Sequence, residues 1–251
     1  PFVTGIRPMT FQGPAFVYYA RGDVRVEPRE IECGPEELVV KVLRAARCGT
    51  DWTVYARGHK LVDRYAPVVL GHELAAEIVA VGPKVRDLTE GVGYMQGRTL
   101  SPDYLDFRPG ERVTFQSRVA RYRNGLMQIS EPLADLSRSF DGGYAQYMRA
   151  PAALIRSGSV LRIPENVDLD AACLTEPAAC ALEAIYAMPH AVGADAQGRH
   201  QYRGGILPGG RTCVIGSGTV SMICAALARL EGAAEVFMLV RSRDKGELAR
   251  A

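Results

Sequence analysis

The sequence predicts a β-rich unit followed by an α/β unit, and three observations support this fold class. Short Val-rich strand patterns, separated by Gly and Pro, occupy the first half of the chain. Near residue 165 the composition changes to an Ala- and Leu-rich helical segment. A strand, a glycine-containing turn, a helix and a second strand then follow within about 30 residues, the length that a β-α-β unit needs. We therefore expect one domain at 1–175 and a second at 176–251.

Apolar runs and turn residues place the individual elements. Strands are predicted at residues 15–19, 38–43, 74–81 and 112–116, because each is an apolar or Val-rich run next to Gly or Pro. One helix is predicted over 169–187. The β-α-β unit comprises a strand at 212–215, a helix at 220–230, a strand at 236–240 and a helix from residue 245. Residues 86–105 and 117–142 show little periodicity and are expected to be long connections beside the active site or an oligomer interface. Residues 189–210, which are rich in glycine, are expected to be irregular.

Charge and cysteine usage exclude several classes of protein. The 30 basic and 28 acidic residues give a net charge of +2, which offers no reason to expect a nucleic-acid or membrane partner. Six scattered cysteines without a Cys-x-x-Cys pair indicate a reducing cytoplasm and no disulfide framework. We expect a cytoplasmic protein that acts on a small molecule and forms a homo-oligomer.

Three short motifs offer a thiolate, an imidazole and carboxylates. They are Cys48-Gly-Thr-Asp51, Gly71-His-Glu73 and Glu176-Pro177. A catalytic zinc ion accepts all three ligand types and uses three protein ligands plus an open position. Each motif alone is weak, since a single Cys is most often a small buried apolar residue. Their order, with a nucleotide-binding pattern downstream, predicts a zinc site.

The nucleotide-binding pattern lies between a predicted strand and a predicted helix. There Gly216 makes the tight turn, and Gly218 lets a pyrophosphate approach the helix that opens at Thr219 and Val220. Ser221 takes the place of the third small residue of this fingerprint.

The end of the second strand bears on the choice of nicotinamide cofactor. NAD-binding proteins place an acidic residue there, but this chain has Val240 followed by Arg241, Ser242 and Arg243. Arginine holds phosphate bidentately, so NADP(H) is favoured over NAD(H). The alternative is a solvated basic entrance to the next helix.

Six ordered motifs make the chain similar to the zinc-dependent medium-chain dehydrogenase/reductase family, in its alcohol, sorbitol and sugar dehydrogenase-like branches. They are Asp23-Val-Arg-Val26, Cys48-Gly-Thr-Asp51, Gly71-His-Glu73, Pro109-Gly-Glu-Arg-Val113, Gly142-Gly-Tyr-Ala-Gln-Tyr147 and Gly216-Ser-Gly218. The resemblance implies a GroES-like catalytic domain followed by a partial Rossmann domain. The chain ends at Ala251 inside a predicted helix, so we expect it to be incomplete as an enzyme.

The resemblance also implies roles for individual residues. Cys48 and His72 would be zinc ligands together with a carboxylate from Glu73 or Glu176. Thr50 would relay a proton, and Asp51 would orient the zinc-bound His72. Residues 117–141 contain no Cys, so the second, structural Cys₄ zinc of many relatives is not expected. The other histidines, His59, His190 and His200, match no ligand position, and the last two are expected to be solvated loop residues.

The implied reaction is reversible hydride transfer between an alcohol, polyol, sugar or sugar phosphate and a nicotinamide cofactor. The runner-up is an amino-alcohol dehydrogenase of the threonine type. An alternative of another class is a non-catalytic binding or structural protein on a dehydrogenase scaffold. The ligand set separates these hypotheses, because such a scaffold has no reason to keep Cys, His and Glu at all positions. The same ligand set argues against a zinc-free quinone reductase.

Overall fold

The computed structural model describes residues 9–123 and 126–250, and the chain divides into two compact units between Glu176 and Pro177. The fold class expected from the sequence is confirmed: a β-rich unit precedes an α/β unit. In the part of the chain described, no helix is long and apolar enough to cross a membrane.

The first unit is built mainly from strands. Its strands are β1 (Thr10–Ala20), β2 (Asp23–Glu32), β3 (Leu38–Ala46), β4 (Val68–Val69), β5 (Glu73–Val81), β6 (Arg112–Phe115), β7 (Arg118–Arg123), β8 (Leu126–Asp135), β9 (Tyr147–Ala150) and β10 (Val160–Arg162). Its helices are α1 (Gly49–Arg57), α2 (Lys60–Asp63), α3 (Pro102–Leu105), α4 (Ala152–Arg156) and α5 (Leu169–Cys173). Short 3₁₀ turns occupy Val85–Asp87 and Gly93–Met95.

A five-stranded sheet with the order β10-β6-β5-β3-β9 carries the main core of this unit. Its central strands β3 and β5 are antiparallel, and side chains such as Leu38, Val40, Leu74 and Ile78 are almost completely buried. Full burial of such a side chain stabilises the fold by about 1.5–3 kcal/mol. A second sheet, with the order β2-β1-β4, and the β7-β8 hairpin complete the unit.

The register of β3 and β5 positions the candidate metal ligands. Ala46, the last residue of β3, is paired with Glu73, the first residue of β5. Antiparallel pairing therefore brings the chain that leaves β3 beside the chain that enters β5. Cys48 lies on the first of these segments and His72 on the second.

The second unit contains most of α6 (Thr175–Tyr186) and two small sheets. An antiparallel hairpin pairs β11 (Pro189–Ala194) with β12 (His200–Gly204). A parallel pair joins β13 (Arg211–Ile215) and β14 (Glu235–Leu239), with α7 (Thr219–Leu230) between them in sequence and α8 (Arg243–Leu248) after them. Its core contains Ile185, Ile206 and Ala228. This is the strand, turn, helix and strand order that the sequence predicts.

The structure corrects the helix predicted over 169–187. It is two helices, since α5 ends at Cys173 and α6 begins at Thr175. Pro177 explains the break. Proline is tolerated in the first turn of a helix, where its missing N–H has no partner to lose, but it disrupts a helix interior.

Two stretches, predicted to be a long connection and an irregular segment, contain hairpins instead. Residues 117–142 include β7 and β8, and residues 189–210 include β11 and β12. Nearly every residue of β11 and β12 is exposed. A hairpin without a buried face has no alternating apolar pattern, so periodicity could not reveal it. His190 and His200 therefore lie on strands and not in loops; His200 is exposed, and His190 is partly buried.

Candidate metal site and cofactor loop

Three side chains of the first unit meet where β3 ends and β5 begins. The ligand atoms of Cys48, His72 and Glu73 all lie within 4.8 Å of one another. Cys48 is the residue immediately before α1, and Glu73 is buried at 6% exposure. Thiolate, imidazole and carboxylate are ligands that zinc accepts, and three of them match the number that a catalytic site uses. The residues present therefore fit a zinc ion.

Asp51 connects two members of this cluster. Its Oδ2 atom accepts a hydrogen bond from the backbone N–H of Cys48 at 3.1 Å, and its Oδ1 atom lies 3.6 Å from Nδ1 of His72. The carboxylate is only 7% exposed. The 3.6 Å separation is a close electrostatic contact and not a hydrogen bond, and a carboxylate in this place beside a metal-ligating histidine can orient its ring.

Tyr144 is a further contact of Asp51 to which sequence analysis assigned no role. Its hydroxyl donates to Oδ2 of Asp51 at 2.6 Å and also lies 3.0 Å from the carbonyl oxygen of Ala46. Burial and the bond to Asp51 raise the pKa of Tyr144, so the phenol remains a donor. The signal in the sequence was its place after Gly142-Gly143.

The electrostatic surroundings of the cluster favour a cation. Burial disfavours a charged His72, but a hydrogen bond with Cys48 and the negative charge of Asp51 outweigh it and raise the pKa of His72 to about 9. Burial also raises the pKa of Glu73, against the lowering effect of His72. Both shifts follow from gathering acidic groups at one poorly solvated place.

Glu176 acts electrostatically on this cluster, whereas Thr50 is an exposed residue near Cys48 in sequence. Glu176, in the first turn of α6, accepts a hydrogen bond from the hydroxyl of Ser117 at 2.9 Å, and its negative charge contributes to the raised pKa values of His72 and Glu73. Sequence analysis missed Ser117, which is buried and precedes β7. Thr50 is exposed in the first turn of α1.

The glycine pattern of the second unit lies between β13 and α7. Gly216 has a φ of +137°, and a Cβ at this position would collide with the hydroxyl of Ser221. Its backbone N–H donates to the carbonyl of Leu239, the last residue of β14, at 3.0 Å. Gly218 caps α7, so Thr219 and Val220 form the first turn of that helix.

The basic residues that were predicted to recognise NADP follow β14. Ser242 caps α8, and Arg241 and Arg243 are exposed on either side of it. The guanidinium of Arg243 lies 3.3 Å from the carboxylate of Glu247. Both arginines are thus near the strand end that the glycine loop also contacts.

Comparison with known families identifies the chain. Residues 34–164 match the family described as alcohol dehydrogenase GroES-like domain. The chain belongs to this family. The match covers the three clustered residues together with Asp51 and Tyr144, so the resemblance drawn from the six motifs is confirmed.

Characterised relatives are dehydrogenases. The chain is 29% identical over 227 residues to an L-threonine 3-dehydrogenase of Streptomyces avermitilis, covering 88% of this chain and 54% of that protein. It is 28% identical over 200 residues to an L-galactonate-5-dehydrogenase of Escherichia coli, covering 80% of this chain and 48% of that protein. The chain thus spans about half the length of these relatives.

A solved structure shows the same fold. It is a candidate zinc-binding dehydrogenase of Sinorhizobium meliloti, solved with NADP bound. The TM-score is 0.71 at 24% sequence identity, and the match covers 96% of this chain and 59% of the other.

Proposed function

We propose that this chain provides the zinc-binding part and a nucleotide-binding part of a dehydrogenase. The enzyme transfers a hydride between an alcohol, polyol, sugar or sugar phosphate and a nicotinamide cofactor. One observation carries the proposal: Cys48, His72 and Glu73 bring three different zinc-ligand types within 4.8 Å of one another. A binding protein that had lost catalysis would have no need for this combination.

The residues take the following roles. Cys48 and His72 hold the ion with a carboxylate from Glu73 or Glu176, and Asp51 holds the His72 ring. Lewis-acid polarisation of the substrate oxygen is the chemistry that a zinc ion supplies when bound. Thr50, an exposed residue, passes the substrate proton outward to solvent.

The similarity to L-threonine 3-dehydrogenase supports a second candidate substrate class, amino alcohols. Polyols and sugar acids are the other class, which the similarity to L-galactonate-5-dehydrogenase supports. A screen of L-threonine, polyols, sugar acids and sugar phosphates, each with NADP⁺ and NAD⁺, distinguishes them by the rate of nicotinamide reduction.

The metal proposal has its own test, which does not depend on the substrate. Elemental analysis of the purified, zinc-loaded protein should give about one zinc per chain, because a catalytic site needs one such ligand set. Two tightly held zinc ions per chain, or none in an active protein, contradict the proposal. Within residues 9–123 and 126–250 we find one cluster of this kind.

We further propose NADP(H) as the cofactor. Support comes from the arginines beside Ser242, because a 2′-phosphate needs cationic donors and Val240 supplies no acid for a ribose hydroxyl. The NADP bound to the similar Sinorhizobium meliloti structure is consistent with this choice.

A further inference from the structure

The segment that carries Tyr144 is fixed against the segment that leads to His72. Backbone N–H groups of Gly142, Gly143 and Tyr144 donate to the carbonyls of Val69, Gly71 and Leu70, at 2.8, 2.7 and 2.8 Å respectively. The Asp141 side chain accepts the N–H of Val69 at 2.8 Å. These bonds join residues about seventy positions apart in sequence and leave the Tyr144 backbone little freedom.

The ring of Tyr144 is fixed as well. Gly71 has a φ of +95°, and a Cβ added there would lie 2.5 Å from Cδ1 of Tyr144. The ring also packs edge-on against Phe16, with 6.2 Å between the ring centroids. Because Gly71 has no side chain, the Tyr144 ring can pack against the backbone at the residue that precedes His72.

Because the ring is fixed, the Tyr144 hydroxyl is held beside the carboxylate of Asp51. It donates to Oδ2 of Asp51 at 2.6 Å, and this short bond to a charged acceptor is the stronger of its two contacts. The same Oδ2 atom accepts the N–H of Cys48, which leaves Oδ1 turned toward His72. The carboxylate is thus held at one end and presents its other end to the imidazole.

We propose that Tyr144 is a positioning residue for the metal site and acts through Asp51 on His72. The inference rests on the proposed zinc site. Without the hydroxyl, Asp51 keeps its bond from Cys48 but loses the constraint that sets the angle of its carboxylate. The His72 ring is then less well oriented, and the zinc site is weakened although all three proposed ligands remain.

Tyr144→Phe removes only the hydroxyl, and the chain offers a matched control. Tyr18 is buried, and its hydroxyl donates to a carboxylate, that of Asp63, at 2.6 Å, the same distance as in the Tyr144 bond. Tyr18→Phe therefore loses an equivalent bond in the same unit, but to a carboxylate other than Asp51. Zinc affinity of the full chain is measured by competition with a chromophoric chelator, thermal unfolding by calorimetry, and site geometry by the thiolate-to-cobalt absorption of the cobalt-loaded protein.

Tyr144→Phe should lower zinc affinity about tenfold and shift the cobalt spectrum; this is the low end of the roughly 10–100-fold range for direct partners of zinc ligands, because Tyr144 acts on His72 only through Asp51. Tyr18→Phe should lower the unfolding temperature to a similar extent and leave affinity and spectrum unchanged. Unchanged affinity in Tyr144→Phe, or equal losses in both variants, would overturn the inference and leave the zinc proposal standing. A wild-type chain that binds no zinc would contradict both.

A double-mutant cycle tests the route through Asp51. Asp51→Asn should lower zinc affinity by about 10–100-fold. Adding Tyr144→Phe to Asp51→Asn should then cause little further loss, since coupled residues are not additive. A further tenfold loss in the double variant would show that Tyr144 acts by another route and would overturn the inference.

Discussion

The two units differ in how firmly the fold holds their candidate site residues. In the first unit, Asp51 is 7% exposed, and hydrogen bonds from Tyr144 and Cys48 fix its carboxylate. In the second unit, Thr219 and Arg241 are exposed. A metal site needs side chains that are held in a set geometry. A nucleotide phosphate is bound largely by backbone N–H groups at the start of a helix, so the side chains there can be exposed.

The sheets of the two units show the same difference. One matched pair of isoleucines, one in each unit, makes the comparison direct. Ile78 in β5 has no exposed surface, whereas Ile215 in β13 is 77% exposed. Leu239 in β14, on the same face of its sheet as Ile215, is 62% exposed. The first unit therefore derives its stability from burial that the β13-β14 pair lacks on this face.

The largest expected effect comes from this pair of isoleucines. Ile78→Ala should destabilise the first unit by about 2–5 kcal/mol, because it removes buried methyl groups and leaves a cavity. Ile215→Ala should change the free energy of unfolding by less than about 0.5 kcal/mol, as exposed substitutions usually do. Urea unfolding followed by circular dichroism measures both. Similar losses for the two variants would mean that the faces do not differ as described.

The second largest effect distinguishes the proposed ligand Cys48 from a cysteine outside the metal site. Cys48→Ser should lower zinc affinity by at least about 100-fold, or about 2.7 kcal/mol, because it removes a direct ligand and not merely an outer partner. The fold should persist, since Cys48 is outside the core clusters. The control is Cys213→Ser, an exposed thiol on β13. Chelator competition measures both, and zinc retention by Cys48→Ser would contradict the ligand assignment.

A third comparison concerns the glycine in front of His72. Gly71→Ala and Gly22→Ala both place a side chain at positive φ, +95° and +75°. Only the first would also press a methyl group into the Tyr144 ring, because nothing lies within 4 Å of the Cβ position at Gly22. Gly71→Ala should therefore destabilise the protein by about 1–3 kcal/mol more than Gly22→Ala, the usual cost of overpacking. Equal melting temperatures would argue against the tight contact.

The sequence predicted those elements that depend only on neighbouring residues. The strand, glycine turn and helix of the second unit follow from an apolar run, two glycines and a helical segment, and the structure has them as β13, Gly216 to Gly218, and α7. The family resemblance likewise indicated Cys48 and His72. Neither required knowledge of which strands are neighbours.

What the sequence did not predict depends on contacts between distant segments. Ser117 lies 59 positions from Glu176, and Tyr144 lies 93 positions from Asp51. No periodicity or spacing rule connects such pairs, because strand order and register bring them together. The β11-β12 hairpin was missed for the opposite reason: its residues are mostly exposed and carry no buried pattern.

The smallest expected effect tests the exposed cofactor residues. Replacing Arg241 and Arg243 together by Ala should weaken NADP⁺ binding by about tenfold, or about 1.4 kcal/mol, because charge-assisted bonds to a phosphate are lost at a solvated site. NAD⁺ binding should change little, since NAD⁺ has no 2′-phosphate. Arg241→Ala alone should weaken NADP⁺ binding more than Arg243→Ala alone, because Arg243 already pairs with Glu247 at 3.3 Å. Calorimetric titration with both cofactors measures this, with Arg229→Ala as the control for lost surface charge. Equal losses for NADP⁺ and NAD⁺ would show that these arginines do not recognise the 2′-phosphate.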